Sequence, residues 1–249
     1  MGRLENGLEN HEWVCEMIRI KKRALDFPAW LISKWRLTRL MSTNELEEIV
    51  DVPNKYIGHG YYDRIHAEQD PQEIIELARL VKEHKPQVIV EIGTYKGGTL
   101  FIWSRLNPWA KKIVSIDLPG GHYGGGYSDK RIKLYRHFCY DHVNTAMHFI
   151  RENSHLKSTF ASLKRILNGQ SIDFLYIDAD HTYEGVKTDF EMYSQLMSPN
   201  GIIGFHDIRN TKENHQVMQF WNDIKVNYQH KEIIGENSKT GNGVIFWKG

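Results

Sequence analysis

The apolar residues of this sequence fall into short runs that alternate with longer stretches in which apolar positions recur at helical spacing. Five runs rich in β-branched and aromatic residues predict buried strands at residues 88–92, 112–117, 145–150, 172–178 and 201–207. Two later runs, at residues 231–235 and 243–248, predict a terminal strand pair. Buried strands that alternate with helices are typical of a doubly wound, mostly parallel α/β sheet with helices on both faces.

Stretches with helical spacing predict the elements between these strands. The first begins at Thr99, and the others cover residues 127–142, 156–167, 183–197 and 213–228. A further helix, with apolar positions repeating over residues 74–81, precedes the first strand and ends before Pro86. We therefore expect one α/β domain over residues 69–249.

Two capping boxes predict helix starts before this domain's first strand. Asp70 is followed by proline and then by Glu73, an arrangement in which Asp70 caps the helix and Glu73 reaches back to it. Ser42 and Glu45 have the same spacing. They predict a short helix that Pro53 ends.

Residues 1–68 precede the domain, and we interpret them as a helical N-terminal extension. Between residues 13 and 40, tryptophans and other apolar side chains are interleaved with seven basic residues against two acidic ones. Such a segment packs on the main domain or on a second subunit, or it lies on an anionic membrane surface.

Residues 54–69 are rich in Tyr and Gly and predict a loop at the mouth of a pocket, either a lid or a plain surface connection. We expect a homo-oligomer.

The composition excludes some classes of partner and compartment. Lys plus Arg (32) nearly balance Asp plus Glu (31), so no general affinity for polyanions follows and we expect no nucleic-acid partner. The two cysteines, Cys15 and Cys139, lie far apart and lack metal-ligand spacing. The N-terminus has no apolar leader, and no run of about 18 apolar residues occurs. Together these features predict a cytoplasmic protein.

A glycine-rich turn follows the first predicted strand. Gly93, Gly97 and Gly98 lie between this strand and the next helix, where glycines allow the backbone to approach a ligand closely. The turn predicts a nucleotide-type pocket, and a plain strand-to-helix turn is the alternative. Asp117 ends the second strand, 24 residues beyond Gly93. An acid at that place in nucleotide-binding folds accepts hydrogen bonds from ribose hydroxyls. The position of Asp117 therefore supports the prediction of a nucleotide-type pocket.

Six polar side chains stand at the carboxyl ends of predicted strands, where open α/β sheets bind their ligands. They are Glu91, Asp117, Asp178, His181, His206 and Asp207. Each has a plain alternative when taken singly, since an Asp often caps the following helix and a lone His is often a satisfied structural group. Their convergence on one edge of the sheet predicts a binding or catalytic site.

Four separated motifs carry a resemblance to a known family. They are residues 91–99 around the glycine turn, 115–127 with Asp117 and five glycines, 177–187 with Asp178 and His181, and 204–208 with His206 and Asp207. Over residues 69–248 the chain resembles class I S-adenosylmethionine-dependent methyltransferases, and among them the macrocin O-methyltransferase and cephalosporin hydroxylase-like group. The resemblance implies a seven-stranded, Rossmann-like methyltransferase sheet and a transferase that uses S-adenosylmethionine.

The resemblance also implies which residues bind that cofactor. The glycine turn is implied to hold its amino-acid part, Asp117 its ribose, and Asn153 with Ser154 its adenine. The full implied set is Glu91, Gly93, Tyr95, Gly97, Asp117, Asn153, Ser154 and Asp178.

A metal site and a base follow from the same resemblance. In metal-dependent relatives an Asp after the fourth strand and an acid–Asp pair after the fifth bind Mg²⁺, and a His three residues after the first Asp is the base. The implied ligands are therefore Asp178, His206 and Asp207, with His181 as the base and Asp178 also catalytic. His206 stands where relatives have an acid, and imidazole suits softer metals than Mg²⁺. The choice between Mg²⁺ and Mn²⁺, and metal dependence itself, stay open.

The expected reaction is transfer of a methyl group from the sulfonium to a hydroxyl of a sugar, glycoconjugate or related small metabolite, with His181 as general base. One alternative is a cofactor-binding protein without catalysis, whose pocket regulates assembly or membrane docking. Another is an NAD-dependent dehydrogenase, but its turn has the spacing Gly-x-Gly-x-x-Gly, whereas this chain has Gly-x-x-x-Gly-Gly. The loops at 54–69, 118–127 and 209–216 have no signature of a particular acceptor.

Overall fold

A computed structural model describes residues 26–120, 125–212 and 215–248 of the protein. Within them, seven strands form one sheet in the order β3-β2-β1-β4-β5-β7-β6. The strands are β1 (Val88–Ile92), β2 (Lys112–Asp117), β3 (Ala146–Arg151), β4 (Ile172–Ile177), β5 (Met197–His206), β6 (Gln229–Ile233) and β7 (Asn242–Phe246). The first five strands pair in parallel, and β7 lies antiparallel between β5 and β6. The predicted doubly wound, mostly parallel, seven-stranded sheet is confirmed.

Helices cover both faces of this sheet. They are α1 (residues 26–40), α2 (Leu46–Lys55), α3 (Pro71–His84), α4 (Gly98–Leu106), α5 (Ile132–Arg136), α6 (Lys157–Leu167), α7 (Tyr183–Tyr193) and α8 (Val217–Ile224). Side chains of the central strands alternate between two buried layers, so that Ile89 of β1 packs with α1–α5 whereas Val90 and Ile92 pack with α6–α8. Burial of both faces explains why the central strands are continuous apolar runs.

Three predicted helices are shorter in the structure. Residues 127–142 contain α5 between two 3₁₀ turns. α7 ends at Tyr193, and β5 begins at Met197 rather than Gly201, because Met197 pairs with Ile172 of β4 and sheet pairing overrides the helical pattern. α8 ends at Ile224 in another 3₁₀ turn, and residues 213–214, part of the predicted start of this helix, lie outside the described residues.

The capping box at the start of α3 forms only in part. The Asp70 carboxylate accepts hydrogen bonds from the backbone N–H groups of Gln72 and Glu73 at 2.9 and 3.2 Å, as predicted. The Glu73 side chain does not reach back to Asp70. It is fully buried and accepts three hydrogen bonds from donors in residues 235–241. The prediction for Glu73 was wrong because a partner far away in sequence takes its carboxylate.

The predicted capping box at Ser42 is absent. The Ser42 hydroxyl donates to the carbonyl of Arg39, one of the carbonyls left free at the end of α1, and Glu45 caps α2 without a side-chain bond. Pro53 lies inside α2 rather than ending it. Both Val52 and Pro53 are buried, and their packing offsets the backbone hydrogen bond that proline lacks.

The described part of the N-terminal extension shares a buried layer with α3 and α4. Leu37 of α1 is fully buried in that layer, as is Tyr56 after α2. The opposite face of α1 is exposed, with Phe27, Leu31 and Trp35 at 63%, 48% and 61% exposure. Residues 13–25 of the basic, aromatic segment lie outside the described residues, and the boundary after residue 68 stays a prediction.

Strand order fixes where a ligand can bind. β1 is the point at which the order reverses, with β2 and β3 on one side and β4 and β5 on the other. Ligands of open α/β sheets bind beyond the carboxyl ends of the strands at such a switch point. Among the described residues, no helix combines the length and the apolar character needed to cross a membrane.

Candidate active site

The turn after β1 is held by Asp117 at the end of β2. Its Oδ2 accepts hydrogen bonds from the backbone N–H groups of Thr94 and Tyr95 at 2.9 and 2.6 Å, and its Oδ1 accepts one from Leu118 at 2.7 Å. Burial raises the pKa of Asp117, and these backbone bonds act in the opposite direction. Asp117 is only half-buried, and its Oδ1, which accepts one of these three bonds, can accept a further one.

Protein atoms fill the space beside the glycines of this turn. A Cβ added at Gly93 would lie 2.0 Å from the carbonyl oxygen of Asp178, and one added at Gly97 would lie 2.6 Å from the ring of Tyr135. Both glycines also have a positive φ, of 90° and 78°. Packing within the chain therefore requires these glycines, whereas the sequence analysis explained them by close approach of a ligand.

The loop between α2 and α3 lies beside the glycine turn. The Gly98 N–H donates to the carbonyl of His66 at 3.0 Å, and a Cβ added at Gly98 would lie 2.3 Å from the backbone nitrogen of Ala67. The Arg131 guanidinium donates to backbone carbonyls of the same loop, including that of Tyr61 at 3.2 Å. These contacts anchor the loop over the start of α4, and its action as a lid stays a prediction.

Glu91 lies beneath the turn and is fully buried. Its Oε2 accepts a hydrogen bond from the Thr94 hydroxyl at 2.7 Å, and its Oε1 accepts one from the Trp103 indole N–H at 3.0 Å. Burial raises the pKa of Glu91 to about 8, against the hydrogen bonds that it accepts. Because both oxygens have protein donors, Glu91 supports the turn from inside and does not present a free carboxylate to a ligand.

The two polar residues after β3 reach the same edge of the sheet. Asp117 pairs with Arg151 at the end of β3, and Asn153 follows two residues beyond. The Asn153 Oδ1 accepts a hydrogen bond from the His155 N–H at 2.8 Å and is exposed. Ser154 is buried, and its carbonyl accepts a hydrogen bond from a tyrosine of α7. Asn153 is therefore the more accessible of the two to a ligand.

Four of the predicted site residues meet at the carboxyl ends of β4 and β5. The Nδ1 of His206 lies 3.2 Å from Oδ1 of Asp178, and the Nε2 of His181 lies 3.4 Å from the same oxygen. The Nε2 of His181 also lies 3.5 Å from Oδ2 of Asp207. His206 and Asp207 are buried, and His181 is about one third exposed at 34%. The structure therefore forms one cluster with a buried and an open side.

The backbone at Asp207 is in a conformation that few side chains adopt. Its φ is +63°, and Asp is one of the residues that tolerate this region. The Asn210 side chain donates to Oδ1 of Asp207 at 3.0 Å and holds the turn after β5. Residues kept in such conformations concentrate at functional sites.

Gln69 completes the cluster on its buried side, and the sequence analysis missed it. Its Nε2 donates to Oδ2 of Asp178 at 3.1 Å. The Tyr176 hydroxyl lies 3.3 Å from Oε1 of Gln69 and 3.0 Å from Oδ1 of Asn242. Tyr176 and Asn242 are both fully buried. Gln69 lies in a loop without any periodic pattern, so the sequence held no signal for this contact.

His215 was also missed. Its Nε2 lies 3.8 Å from Oδ2 of Asp207, and its ring stacks on that of His181 with centroids 4.6 Å apart and planes at 20°. It belongs to the segment before α8, which was predicted both as part of an acceptor-side loop over residues 209–216 and as the start of a helix over residues 213–228. The one available signal was the presence of a histidine in that segment.

The charges of the cluster are coupled. Burial opposes ionisation of both Asp178 and His206, but their mutual attraction outweighs it. The pKa of Asp178 is lowered to about 2, and the pKa of His206 is raised to about 9. The pKa of His181 is raised as well, since Asp178 and Asp207 together outweigh its burial. At neutral pH the protein therefore holds Asp178 and His206 as an ion pair.

Two overlapping sets of side chains have the composition of metal-ligand groups. In each set, one ligand atom from every residue lies within 4.8 Å of the others. The inner triad consists of Asp178, His206 and Asp207, which the family resemblance implied. The outer triad consists of His181, Asp207 and His215.

Comparisons with known proteins agree with this fold. Residues 90–208 match a family model described as a methyltransferase domain. The chain is 26% identical over 178 residues to the uncharacterized protein y4gI of Sinorhizobium fredii, a match that covers 68% of this chain and 18% of that protein. It is 32% identical over 143 residues to the uncharacterized protein R132 of Acanthamoeba polyphaga mimivirus, covering 56% of this chain and 60% of that protein. The chain thus spans less than two thirds of either relative.

A solved structure shows the same architecture. The chain superposes on CalS11, a TDP-rhamnose 3′-O-methyltransferase of calicheamicin biosynthesis, with a TM-score of 0.55 and 17% identity over 86% of this chain and 93% of that one. At this identity the similarity is one of fold. The chain therefore has the fold of a methyltransferase, and residues 90–208, the part that matches the family model, resemble a methyltransferase domain.

Replacing Glu91 by Gln is expected to remove a pH-dependent loss of stability. The folded-state pKa of about 8 lies above the ordinary 4.5, so the stability that Glu91 contributes is fully present below pH 4.5 and is lost as pH rises through 8. At about 1.4 kcal/mol per pKa unit, the loss is on the order of 5 kcal/mol. Calorimetric Tm values between about pH 5 and 9 should fall more in the wild type than in Glu91→Gln. The exposed Glu83→Gln is the matched control, and parallel pH profiles for wild type and Glu91→Gln would contradict the prediction.

Proposed function

We propose that the protein is an O-methyltransferase that transfers the methyl group of S-adenosylmethionine to a hydroxyl of a sugar, glycoconjugate or related small metabolite. The observation that carries the proposal is the contact between the glycine turn and the Asp178–His181 cluster. Gly93 lies directly against the carbonyl of Asp178, so a cofactor held by the turn is next to a base. The match of residues 90–208 to a methyltransferase domain supports the same activity.

The side chains beyond β1 and β2 fit S-adenosylmethionine by their chemistry. Asp117 is a half-buried acceptor for a ribose diol, and Asn153 offers exposed amide groups to an adenine edge. Gly93 and Tyr95 are the half-buried positions of the turn, on the side that we assign to the amino-acid part of the cofactor. When bound, the cofactor would supply an electrophilic methyl group on a positively charged sulfur.

His181 is the proposed general base. Its Nε2 lies 3.4 and 3.5 Å from the carboxylate oxygens of Asp178 and Asp207, which raise the pKa of His181 and so make its neutral form a stronger base. The Nε2 accepts the proton of the acceptor hydroxyl while the new oxygen–carbon bond forms and the sulfur–carbon bond breaks. The two carboxylates stabilise the imidazolium that results. Orientation of the hydroxyl toward the methyl group supplies further acceleration.

The inner triad is the proposed site of divalent metal assistance. Asp178 and Asp207 offer carboxylate oxygens, and His206 offers its Nδ1, which lies 3.2 and 3.8 Å from oxygens of these two residues and would release its proton to a bound ion. A cation bound there lowers the pKa of a coordinated hydroxyl. Two oxygens and one nitrogen suit Mn²⁺ better than Mg²⁺, because Mg²⁺ prefers an all-oxygen shell.

A sugar acceptor is the more specific part of the proposal. It rests on the shared fold with CalS11, whose name states a sugar nucleotide substrate, and on the family resemblance of the motifs. In this proposal the loops at 54–69, 118–127 and 209–216 form the acceptor side of the pocket, and residues 121–124 and 213–214 of them lie outside the described residues. A library of nucleotide sugars is therefore the first set of acceptors to screen.

The outer face of α1 is proposed to contact an anionic membrane surface. Phe27, Leu31 and Trp35 form an exposed apolar stripe opposite the buried face of the helix, and the exposed Lys34 and Arg39 flank it. An isologous pairing of two copies through this stripe would bring their basic flanks together, whereas anionic headgroups complement them. A homo-oligomer that forms through another surface stays a prediction.

Calorimetric titration with S-adenosylhomocysteine tests the cofactor site. Saturable binding is expected in the wild type, and Asp117→Asn should weaken it by about 10- to 100-fold because a charge-assisted hydrogen bond is lost. The exposed Asp129→Asn is the matched control and should bind like the wild type. Equal affinity in all three proteins would contradict the role of Asp117, and no binding to the wild type would contradict the proposed cofactor.

Substitution of His181 by Ala tests the base. Turnover on an accepted substrate is expected to fall by at least about 100-fold, the usual contribution of a general base, with the affinity for S-adenosylhomocysteine unchanged. The exposed His230→Ala serves as the control. A His181→Ala variant that turns over at the wild-type rate would contradict the assignment of His181 as the general base.

Co-sedimentation with phosphatidylserine vesicles tests the membrane contact. The triple variant Phe27→Ser, Leu31→Ser, Trp35→Ser should lose at least about tenfold in partition, since each buried apolar side chain contributes roughly 1.5–3 kcal/mol. A control with Val143→Ser and Val226→Ser removes apolar groups that are 93% and 75% exposed elsewhere. Equal partition of both variants would end the membrane proposal. A difference in mass between the wild type and the triple variant, measured by light scattering without vesicles, would also contradict it. The stripe would then be an interface between copies of the chain.

A further inference from the structure

The outer triad has the spacing of a metal site rather than of a hydrogen-bonded cluster. The Nε2 atoms of His181 and His215 lie 3.5 and 3.8 Å from the same oxygen, Oδ2 of Asp207. These separations are too long for good hydrogen bonds. Ligands bound to one tetrahedral ion at about 2.0–2.2 Å are separated by roughly 3.3–3.6 Å, which is close to the observed spacing.

The two histidines are held in place by contacts outside the triad. The Gln216 backbone N–H donates to the carbonyl of His181 at 2.7 Å, and the Gln216 side-chain oxygen accepts from the Tyr183 N–H at 3.0 Å. These bonds tie the segment before α7 to the segment before α8, with the stacked rings between them. The site is therefore preorganised by the chain itself.

Asp207 and His215 each add an independent sign of a ligand. Asp207 has a φ of +63°, and Asn210 bonds its other oxygen, so that Oδ2 faces both imidazoles. The Nδ1 of His215 is buried and has no hydrogen-bond partner among the described residues. The Nε2 of His215, which faces Asp207, is therefore the ring nitrogen that can bind an ion at this place.

We propose that His181, Asp207 and His215 form a second metal site, which shares Asp207 with the inner triad, for a divalent ion of borderline softness such as Zn²⁺ or Co²⁺. Two imidazole nitrogens and one carboxylate oxygen match the ligand preferences of these ions and disfavour Mg²⁺, which retains water and oxygen ligands. His181 is about one third exposed, and the open side of the cluster leaves a fourth position to water.

A consequence for activity rests on the proposed function. Because the outer triad uses the Nε2 of His181, an ion bound there occupies the lone pair that accepts the substrate proton. Zn²⁺ is therefore expected to inhibit methyl transfer, and His215→Ala is expected to reduce the sensitivity to Zn²⁺. The metal site itself does not depend on this consequence.

Titration of the untagged full-length protein with Co²⁺, followed by visible absorption and calorimetry, tests the site. The wild type is expected to bind one Co²⁺ at this position with the intense bands of a low-coordinate ion. His215→Ala should weaken that binding at least about tenfold, as loss of a ligand does. The exposed His230→Ala is the control, and His215→Asn with its circular dichroism spectrum separates loss of a ligand from loss of fold.

Substitution of His206, which belongs to the inner triad and not to the outer one, shows which of the two sites holds the ion. The proposal expects the Co²⁺ spectrum to persist in His206→Ala and to disappear in His215→Ala. An unchanged spectrum and affinity in His215→Ala, loss in His206→Ala alone, or no Co²⁺ binding to the wild type would each overturn it. If Co²⁺ binds through His215 but Zn²⁺ leaves turnover unaffected, the metal site stands and the base role of His181 falls.

Discussion

The close contact between the ends of β1 and β4 is the constraint on which the rest of the site depends. The Asp178 N–H donates to the carbonyl of Ile92, and the Gly93 N–H donates to the carbonyl of Ile116, both at 2.9 Å. Gly93 is thereby drawn toward both neighbouring strands. A Cβ at this position would lie 2.0 Å from the Asp178 carbonyl oxygen, so only glycine fits. This contact joins the turn that we assign to the cofactor to the cluster that we assign to the chemistry.

The buried charges beyond this contact stay in place because they compensate one another. Asp178 lies between His206 and His181 on one side and Gln69 on the other. Removing one partner of a buried ion pair leaves the other charge uncompensated, which destabilises a protein strongly. The polar groups behind Asp178, Tyr176 and Asn242, are themselves hydrogen-bonded. The cluster is therefore held from its buried side, and His181 is its most exposed member.

The parts of the fold that the sequence predicted are those with a local physical cause. Burial on both faces makes β1 and β4 continuous apolar runs, and parallel strands end at one edge, so the meeting of Asp178, His206 and Asp207 followed from strand positions alone. Gln69, His215 and the partners of Glu73 could not be predicted in this way. Each makes its contact across a long sequence separation from a loop, where no periodicity records the partner. The box at Ser42 failed for a related reason, because the preceding helix offered its carbonyl to the same hydroxyl.

A crystal structure of the protein with S-adenosylhomocysteine tests whether the cofactor binds beside the proposed base His181. We expect the ribose hydroxyls to contact the Asp117 carboxylate and the amino-acid part to lie along the turn from Gly93 to Tyr95. The sulfur is expected to face the open side of the Asp178–His181 cluster. A ligand bound elsewhere, or bound with its sulfur away from His181, would contradict the proposed methyl transfer at this site.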